Sequence, residues 1–280
     1  HLTSDQHVNE LGFLNDGFDS YCIGEGYNAA TKMCEDIKNG ELKQMYAEPI
    51  LKDINSLPFA ARDLIDIKSY KYRLGDKPCT TFYSQAGCPY SCSYCESPLS
   101  GAFTVRAMTP VRIREEVLDI HYRHGIDAVM FFDDEMNLDQ KRMLGICREL
   151  EWVKDRVAKD FAWRGFVVTA KFNEDLARAC KSSGCYEIAS GIESGSPTIL
   201  KSIRKPATVD INRQFIRTAK RAGLRVKCFF IIGLKNESWK TIMETDRFLE
   251  SLKAEGCAPD DVDFSLLQIY KGAPLYSDPG

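Results

Sequence analysis

The sequence predicts an α/β protein: a six-stranded, incompletely closed barrel preceded by the tail of a larger α/β domain. Three observations carry that expectation. From Pro78 onward, strand and helix signals alternate six times, which implies parallel strands joined by right-handed crossovers. Each strand signal is a short apolar run between polar turns, the pattern of a strand covered on both faces. Residues before Glu48 offer one strand and two helices, too little to bury a core alone.

The elements follow in order. Asp5 to Leu14 reads as a helix, Phe18 to Ile23 as a strand, and Ala29 to Lys38 as a second helix closed by Asn39-Gly40. Gly24-Glu25-Gly26 sits on the strand-to-helix turn. Residues 49–77 form a linker with Pro49, Leu57-Pro58 and little periodicity. The barrel, 78–280, is predicted to use Thr80–Ser84, Ala128–Phe132, Phe166–Thr169, Tyr186–Gly191, Arg225–Ile232 and Val262–Ile269 as strands. Ile113, Val117 and Ile120 recur at helical spacing behind an N-capping Thr109 and Pro110. Ile211, Phe215 and Ala219 repeat the pattern after Thr208, and Ile242, Thr245, Leu249 and Leu252 repeat it after Ser238. Gly125, Gly184 and Gly223 each close a helix before the next strand. Chemistry in such a barrel collects on loops leaving the C-terminal ends of its strands.

Composition narrows the function classes. The 280 residues are 44% hydrophobic and 28% charged, an ordinary globular balance. Lys and Arg total 37 against 40 Asp and Glu, so no global basic field exists to hold nucleic acid. Arg204-Lys205 reads as a solvated turn. The longest apolar run, Cys228 to Leu234, has strand length and falls short of the roughly 20 residues that span a bilayer, so no membrane partner is expected. The chain opens on His1 with no signal peptide behind it, which suggests a start lying further upstream. Eleven cysteines spread over this length read mostly as small buried apolar residues in a reducing, cytoplasmic setting.

Three of them differ. Gly87-Cys88-Pro89-Tyr90-Ser91-Cys92-Ser93-Tyr94-Cys95 places thiols in a C-x3-C-x2-C spacing on the loop leaving the first barrel strand. Soft thiolates suit zinc or iron–sulfur clusters. A structural zinc site needs four protein ligands, and no fourth Cys or His follows at finger spacing; His121 and His124 are expected on the solvated face of a helix. Three thiolates on a cubane leave one iron open for a small molecule.

With that loop, the sequence resembles the radical S-adenosylmethionine (SAM) superfamily from about Pro78 to the end. The resemblance implies a [4Fe-4S] cluster on Cys88, Cys92 and Cys95, with the aromatic Tyr94 before the last ligand. It also implies SAM chelated to the open iron, and cleavage of its sulfonium by one electron to release a 5′-deoxyadenosyl radical. The electron would come from an external donor of flavodoxin or ferredoxin type. Phe131-Phe132-Asp133-Asp134-Glu135 resembles the family's acidic segment, making Asp133, Asp134 and Glu135 candidates to receive the cofactor's ammonium group. Tyr186 to Ser196 resembles its fourth-strand motif, with Ser190 and Glu193 as hydrogen-bonding candidates; a helix start with capping serines is the alternative. Phe229 to Glu237 resembles the fifth-strand segment along the adenine, where Gly233 would permit close approach.

The subtype rests on residues outside the barrel. Asp19 to Gly26 with its following helix, then Ile54 to Leu64, resembles the junction in cobalamin-dependent radical SAM enzymes, where a cobalamin-binding Rossmann domain precedes the barrel. Residues 1–48 would be the C-terminal part of that domain. No D-x-H-x-x-G segment, the usual source of a lower axial His, occurs in these residues. The resemblance implies a cobalamin-dependent methyltransferase or related enzyme acting on a small-molecule substrate, with cobalamin bound by the full-length protein. Two alternatives stand beside it: a tRNA-modifying radical SAM methylthiotransferase, and a non-catalytic metal-binding module.

Overall fold

The structure, a computed structural model, describes residues 17–96, 104–271 and 273–277. Six parallel strands form one sheet in strict sequence order: β1 (Thr80–Phe82), β2 (Ala128–Phe131), β3 (Ala162–Phe166), β4 (Cys185–Glu193), β5 (Arg225–Ile232) and β6 (Asp261–Leu266). β1 and β6 are the two edges and do not pair, so the sheet is an open partial barrel. Helices α1 (Pro110–His124), α2 (Gln140–Arg156), α3 (Glu174–Ser182), α4 (Pro197–Ser202), α5 (Val209–Arg221) and α6 (Trp239–Ala254) fill the crossovers.

Strand alternation sorts the side chains. Phe82, Val129, Phe131, Trp163, Ile188, Ile192, Val226, Cys228 and Phe230 join the main core under the helices. Ile113, Val117 and Ile120 of α1 are buried in that core, each contributing about 1.5–3 kcal/mol by leaving water. On the opposite face Ala128, Met130 and Ala162 pack with Leu74 and Cys79 beneath the strand starts. The predicted caps are in place: Thr109, Thr208 and Ser238 each accept a backbone N–H of the first turn, and Gly125, Gly184 and Gly223 take positive φ.

Most element boundaries shift by one to three residues: β1 ends at Phe82 rather than Ser84, β4 runs Cys185–Glu193 rather than Tyr186–Gly191, and the early strand is Tyr21–Cys22 rather than Phe18–Ile23. Two further strands and one histidine differ for reasons the structure shows. The third strand is Ala162–Phe166, four residues earlier than Phe166–Thr169. Arg164 and Gly165 break the apolar pattern, but Arg164 lies 3.3 Å from Glu187 of β4, and a Cβ on Gly165 would sit 2.1 Å from the Met136 sulfur. The last strand is Asp261–Leu266, because Asp261 pairs in register with Lys227. His124 is buried rather than solvated, while His121 Nδ1 lies 2.5 Å from Asp127 Oδ1.

The segment before the barrel is fastened to it. Asn55 Oδ1 accepts the Thr109 N–H at 2.8 Å, Arg112 donates to the Leu57 carbonyl at 2.9 Å, and buried Arg62 lies 3.6 Å from Glu116. Residues 49–77 thus pack on α1. Ahead of them, Tyr21–Cys22 pairs in parallel with Met45–Tyr46, and the helix Gly26–Asn39 ends at Gly40 with φ 72°. Glu25 on the intervening turn caps nothing on its helix; it accepts the Leu51 N–H and pairs with Arg106 at 2.7 Å. The expected helix Asp5–Leu14 lies outside the described residues. Among the described residues no helix is long and apolar enough to cross a membrane.

Candidate active site

The loop leaving β1 is bolted down before it reaches the first cysteine. Asp133, at the end of β2, accepts the Ser84 N–H at 2.6 Å, the Gln85 N–H at 3.1 Å and the Ser84 hydroxyl. Arg142, in the first turn of α2, donates to the Ser84 carbonyl at 2.8 Å and to the Met108 carbonyl at 2.9 Å. Gln85 Nε2 donates to the Glu135 carbonyl at 2.7 Å, and Gln85–Ala86 pairs antiparallel with Arg106–Ala107. The acidic segment after β2 and the cysteine loop after β1 are therefore one hydrogen-bonded unit. Burial pushes the Asp133 carboxyl up to about 6, against the pull of its Ser84 donors and Arg142.

Beyond Gly87 come the three thiols. Cys92 is buried, Cys88 and Cys95 are half-buried, and the Cys95 N–H donates to the Cys92 carbonyl at 3.1 Å. Burial pushes the Cys88 thiol up to about 11 and also raises Cys92. Ser93 ties the loop to the far side of the mouth, its N–H donating to the Ile203 carbonyl at 2.9 Å and its carbonyl accepting the Leu275 N–H at 2.8 Å.

Across the mouth, Glu193 ends β4 after a register shift and holds a φ of 63°. Its Oε1 accepts the Tyr94 hydroxyl at 2.7 Å and Lys205 Nζ at 2.9 Å. The carboxylate folds back over Gly191, where a Cβ would sit 2.1 Å from Oε1. Only glycine leaves that space. Lys205 was expected on a solvated turn; Arg204 is exposed, but the Lys205 side chain is 9% exposed and paired. Burial opposes its charge, yet Glu193 and Glu135 outweigh that and hold the ammonium above its ordinary range. The dipeptide Arg204-Lys205 carried no signal that one of its two cations would turn inward.

The remaining candidates fall in different places. Glu135 Oε2 is shut away from solvent with no hydrogen-bond partner, and burial pushes this carboxyl up to about 7. Asp134 is exposed. Ser190 is buried, its hydroxyl donating to the Val167 carbonyl at 2.6 Å. Gly233 follows β5 with φ 92°, and its N–H donates to Glu237. So the fold gathers Cys88, Cys92, Tyr94, Glu135, Glu193 and Lys205 at the C-terminal ends of β1, β2 and β4. It commits Asp133 and Ser190 to backbone groups.

Among the described residues no three Cys, His, Asp or Glu side chains close around a point that could hold a metal ion. The donor chemistry nonetheless suits a cluster: three cysteine thiols on one anchored loop, beside an enclosed carboxylate oxygen lacking a partner. The sequence profile of the radical SAM superfamily matches residues 82–249, more than half of the chain and the whole of this site.

The chain belongs to the radical SAM superfamily.

Its relatives narrow the comparison. An uncharacterized methyltransferase of Pyrococcus horikoshii is 29% identical over 239 residues, covering 85% of this chain and 50% of that protein. The anaerobic magnesium-protoporphyrin IX monomethyl ester cyclase of Cereibacter sphaeroides is 26% identical, covering 85% of this chain and 38% of its own length. The chain thus spans about half, or less, of these curated relatives. Among solved structures, the radical SAM methyltransferase TsrM from Kitasatospora setae, bound to cobalamin and a [4Fe-4S] cluster, superposes with TM-score 0.62 at 17% identity, covering 71% of this chain and 36% of its own. The cobalamin-dependent radical SAM enzyme OxsB, with aqua-cobalamin and SAM bound, superposes with TM-score 0.61 at 14% identity, covering 98% of this chain and 54% of its own. At these identities the likeness is one of fold: a radical SAM barrel shared with cobalamin-dependent members.

Proposed function

We propose that this chain is the SAM-cleaving core of a cobalamin-dependent radical methyltransferase, or a related enzyme, acting on a small-molecule substrate. The observation that carries the reading is the enclosed, unpartnered Oε2 of Glu135 beside the cysteine loop. A buried acceptor without a donor is costly, and an ammonium group supplies the donor it lacks. A [4Fe-4S] cluster on Cys88, Cys92 and Cys95, reduced by a flavodoxin- or ferredoxin-type donor, would supply the electron that cleaves SAM.

The chain's own residues do the rest. The three thiols release their protons to become ligands. Glu135 would accept the cofactor's ammonium, with exposed Asp134 adding negative charge at the rim. Asp133 keeps the cysteine loop in register. Glu193, fixed between Tyr94 and Lys205, would offer its second oxygen to the cofactor, and the turn at Gly233 would let backbone approach the adenine. Ser190 acts through the β3–β4 junction it ties. The methyl transfer and the cobalamin are carried over from relatives and solved structures of which this chain spans about half or less.

Anaerobic reconstitution tests the reading. Wild type should take up a four-iron cluster, the Cys88→Ala, Cys92→Ala and Cys95→Ala proteins should not, and Cys147→Ala should. Glu135→Gln should keep the cluster yet bind SAM about ten- to a hundredfold more weakly, the worth of one charge-assisted hydrogen bond. Normal iron content in Cys92→Ala, or unchanged SAM binding in Glu135→Gln, would sink it.

A further inference from the structure

Tyr83, Phe132 and Phe166 lie at or just beyond the ends of β1, β2 and β3, and Phe229 lies within β5, three residues before its end. Their chain neighbours Phe82, Phe131, Val167 and Phe230 sit in the core under the helices, so alternation turns the four rings to the inner face of the sheet. The rings touch in series. Centroids are 6.3 Å apart for Tyr83–Phe132, 6.5 Å for Phe132–Phe166 and 5.7 Å for Phe166–Phe229, the last pair stacked at 28°. That stack bridges β4, where the residues in register are Ala189 and Gly191. Ala189 puts only a methyl group on that face beside the stack, while the space over Gly191 is taken by the Glu193 carboxylate.

The same face carries charges that cancel. Arg164 and Arg225 lie 3.3 and 3.9 Å from Glu187, and Lys227 lies 2.7 Å from Asp261 and 2.8 Å from Asp263, three cations against three carboxylates. Arg164 and Lys227 also approach the Phe166 and Phe229 rings at 5.5 and 5.2 Å, steadying them. Tyr83 and Phe132, at the outer end of the row, are 58% and 38% exposed. The exposed Tyr83 and Phe132 rings cost hydration that no described protein group recovers, Phe166 and Phe229 are half-buried behind them, and the paired charges select no ionic ligand.

We propose that this row is the substrate-recognition surface, and that the substrate presents an uncharged planar aromatic face to it. The proposal rests on the reading of the barrel mouth as a SAM site and names the class of molecule placed before it. A flat π-system stacks on the Phe166–Phe229 pair and meets Phe132 and Tyr83 edge-on. A saturated ring of equal size gains the area but not the ring–ring geometry.

The test uses the full chain, reconstituted and saturated with SAM, titrated calorimetrically with 1-naphthol and with its saturated counterpart decahydro-1-naphthol. Wild type should bind 1-naphthol at one saturable site, about tenfold tighter than the saturated alcohol. The Phe132→Leu/Phe166→Leu protein should lose about tenfold in naphthol affinity, and Phe132→Tyr/Phe166→Tyr should regain it. Equal binding of the two alcohols, or of naphthol to wild type and the leucine variant, would overturn the proposal. Displacement of naphthol by hydroxocobalamin would assign the rings to the corrin and overturn it too. Iron content and SAM affinity measured on the same samples separate the two readings: if they hold while naphthol fails, only the aromatic surface is lost.

Discussion

Lys205 and Glu193 form the ion pair on which the mouth of the barrel turns, their side chains 9% and 7% exposed. Removing one partner of such a pair strands the other charge, at a cost of about 3–5 kcal/mol. Lys205→Met should therefore lower the melting temperature sharply, and adding Glu193→Gln should recover part of the loss. Single effects that merely sum in the double variant would show the pair to be uncoupled. Gly191 controls the same carboxylate by leaving it room. Gly191→Ala should lower stability and SAM affinity together, whereas Gly26→Ala, whose added Cβ meets nothing within 4 Å, should change neither. A Gly191→Ala protein with native SAM affinity would place Glu193 outside the cofactor's contacts.

Elements are held in place by side chains that reach backbone, and Asp260 ties the end of α5 to the start of β5. Its Oδ2 accepts Lys220 Nζ and the Val226 N–H, both at 2.8 Å. Burial alone would raise this carboxyl, but those two donors outweigh it and hold it below its usual range. A carboxyl depressed in the folded state stabilises the protein above its unfolded value, about 3.9, and that stability is lost as pH falls through the folded value. Asp260→Asn should thus melt below wild type at pH 7, with the gap closing below about pH 4. A gap independent of pH across that range would mean the carboxylate charge does not contribute. Thr109, Thr208 and Ser238 were legible as caps because a cap is a local event, decided within one turn. The third strand was not, because Arg164 and Gly165 satisfy partners on Glu187 and Met136 that lie elsewhere in the chain.

Over the whole molecule, an open parallel sheet has a gradient of protection. β3 and β4 pair on both sides, whereas β6 pairs only with β5 and leaves Phe264 and Leu266 53% and 76% exposed. Native-state hydrogen exchange should find amides of residues 186–190 protected at least about tenfold more than those of 262–266. Uniform protection across the sheet would mean that the open edge is covered. Among the described residues β1 and β6 do not pair, and the aromatic row runs along the inner face from β1 toward β5. The segment 49–77 does not behave as a free spacer, since Arg62, Asn55 and Leu57 fix it on α1. Arg106→Ala, which removes the ion pair to Glu25 and the hydrogen bond to the Leu51 carbonyl, should speed proteolysis ahead of residue 50 while leaving the barrel's melting intact. Unchanged cleavage there would show that the Leu51 N–H bond to Glu25 and the packing around it hold the joint without Arg106.

The sequence by itself determined the class of fold, the order of its six strands, the positions of the caps and the loop that carries three thiols. Each of these is written in local terms: period, turn chemistry and ligand spacing. Only the tertiary structure decided which polar residues face the mouth. Asp133, Asp134 and Glu135 are adjacent and chemically alike, yet one bonds the Ser84–Gln85 backbone, one meets solvent and one has an enclosed oxygen without a partner. Lys205 turns inward because Glu193, brought back by the bulge at Gly191, waits for it across twelve residues of chain. A side chain's partner at long range sets its burial and charge, and that partner is fixed by packing rather than by the residues beside it.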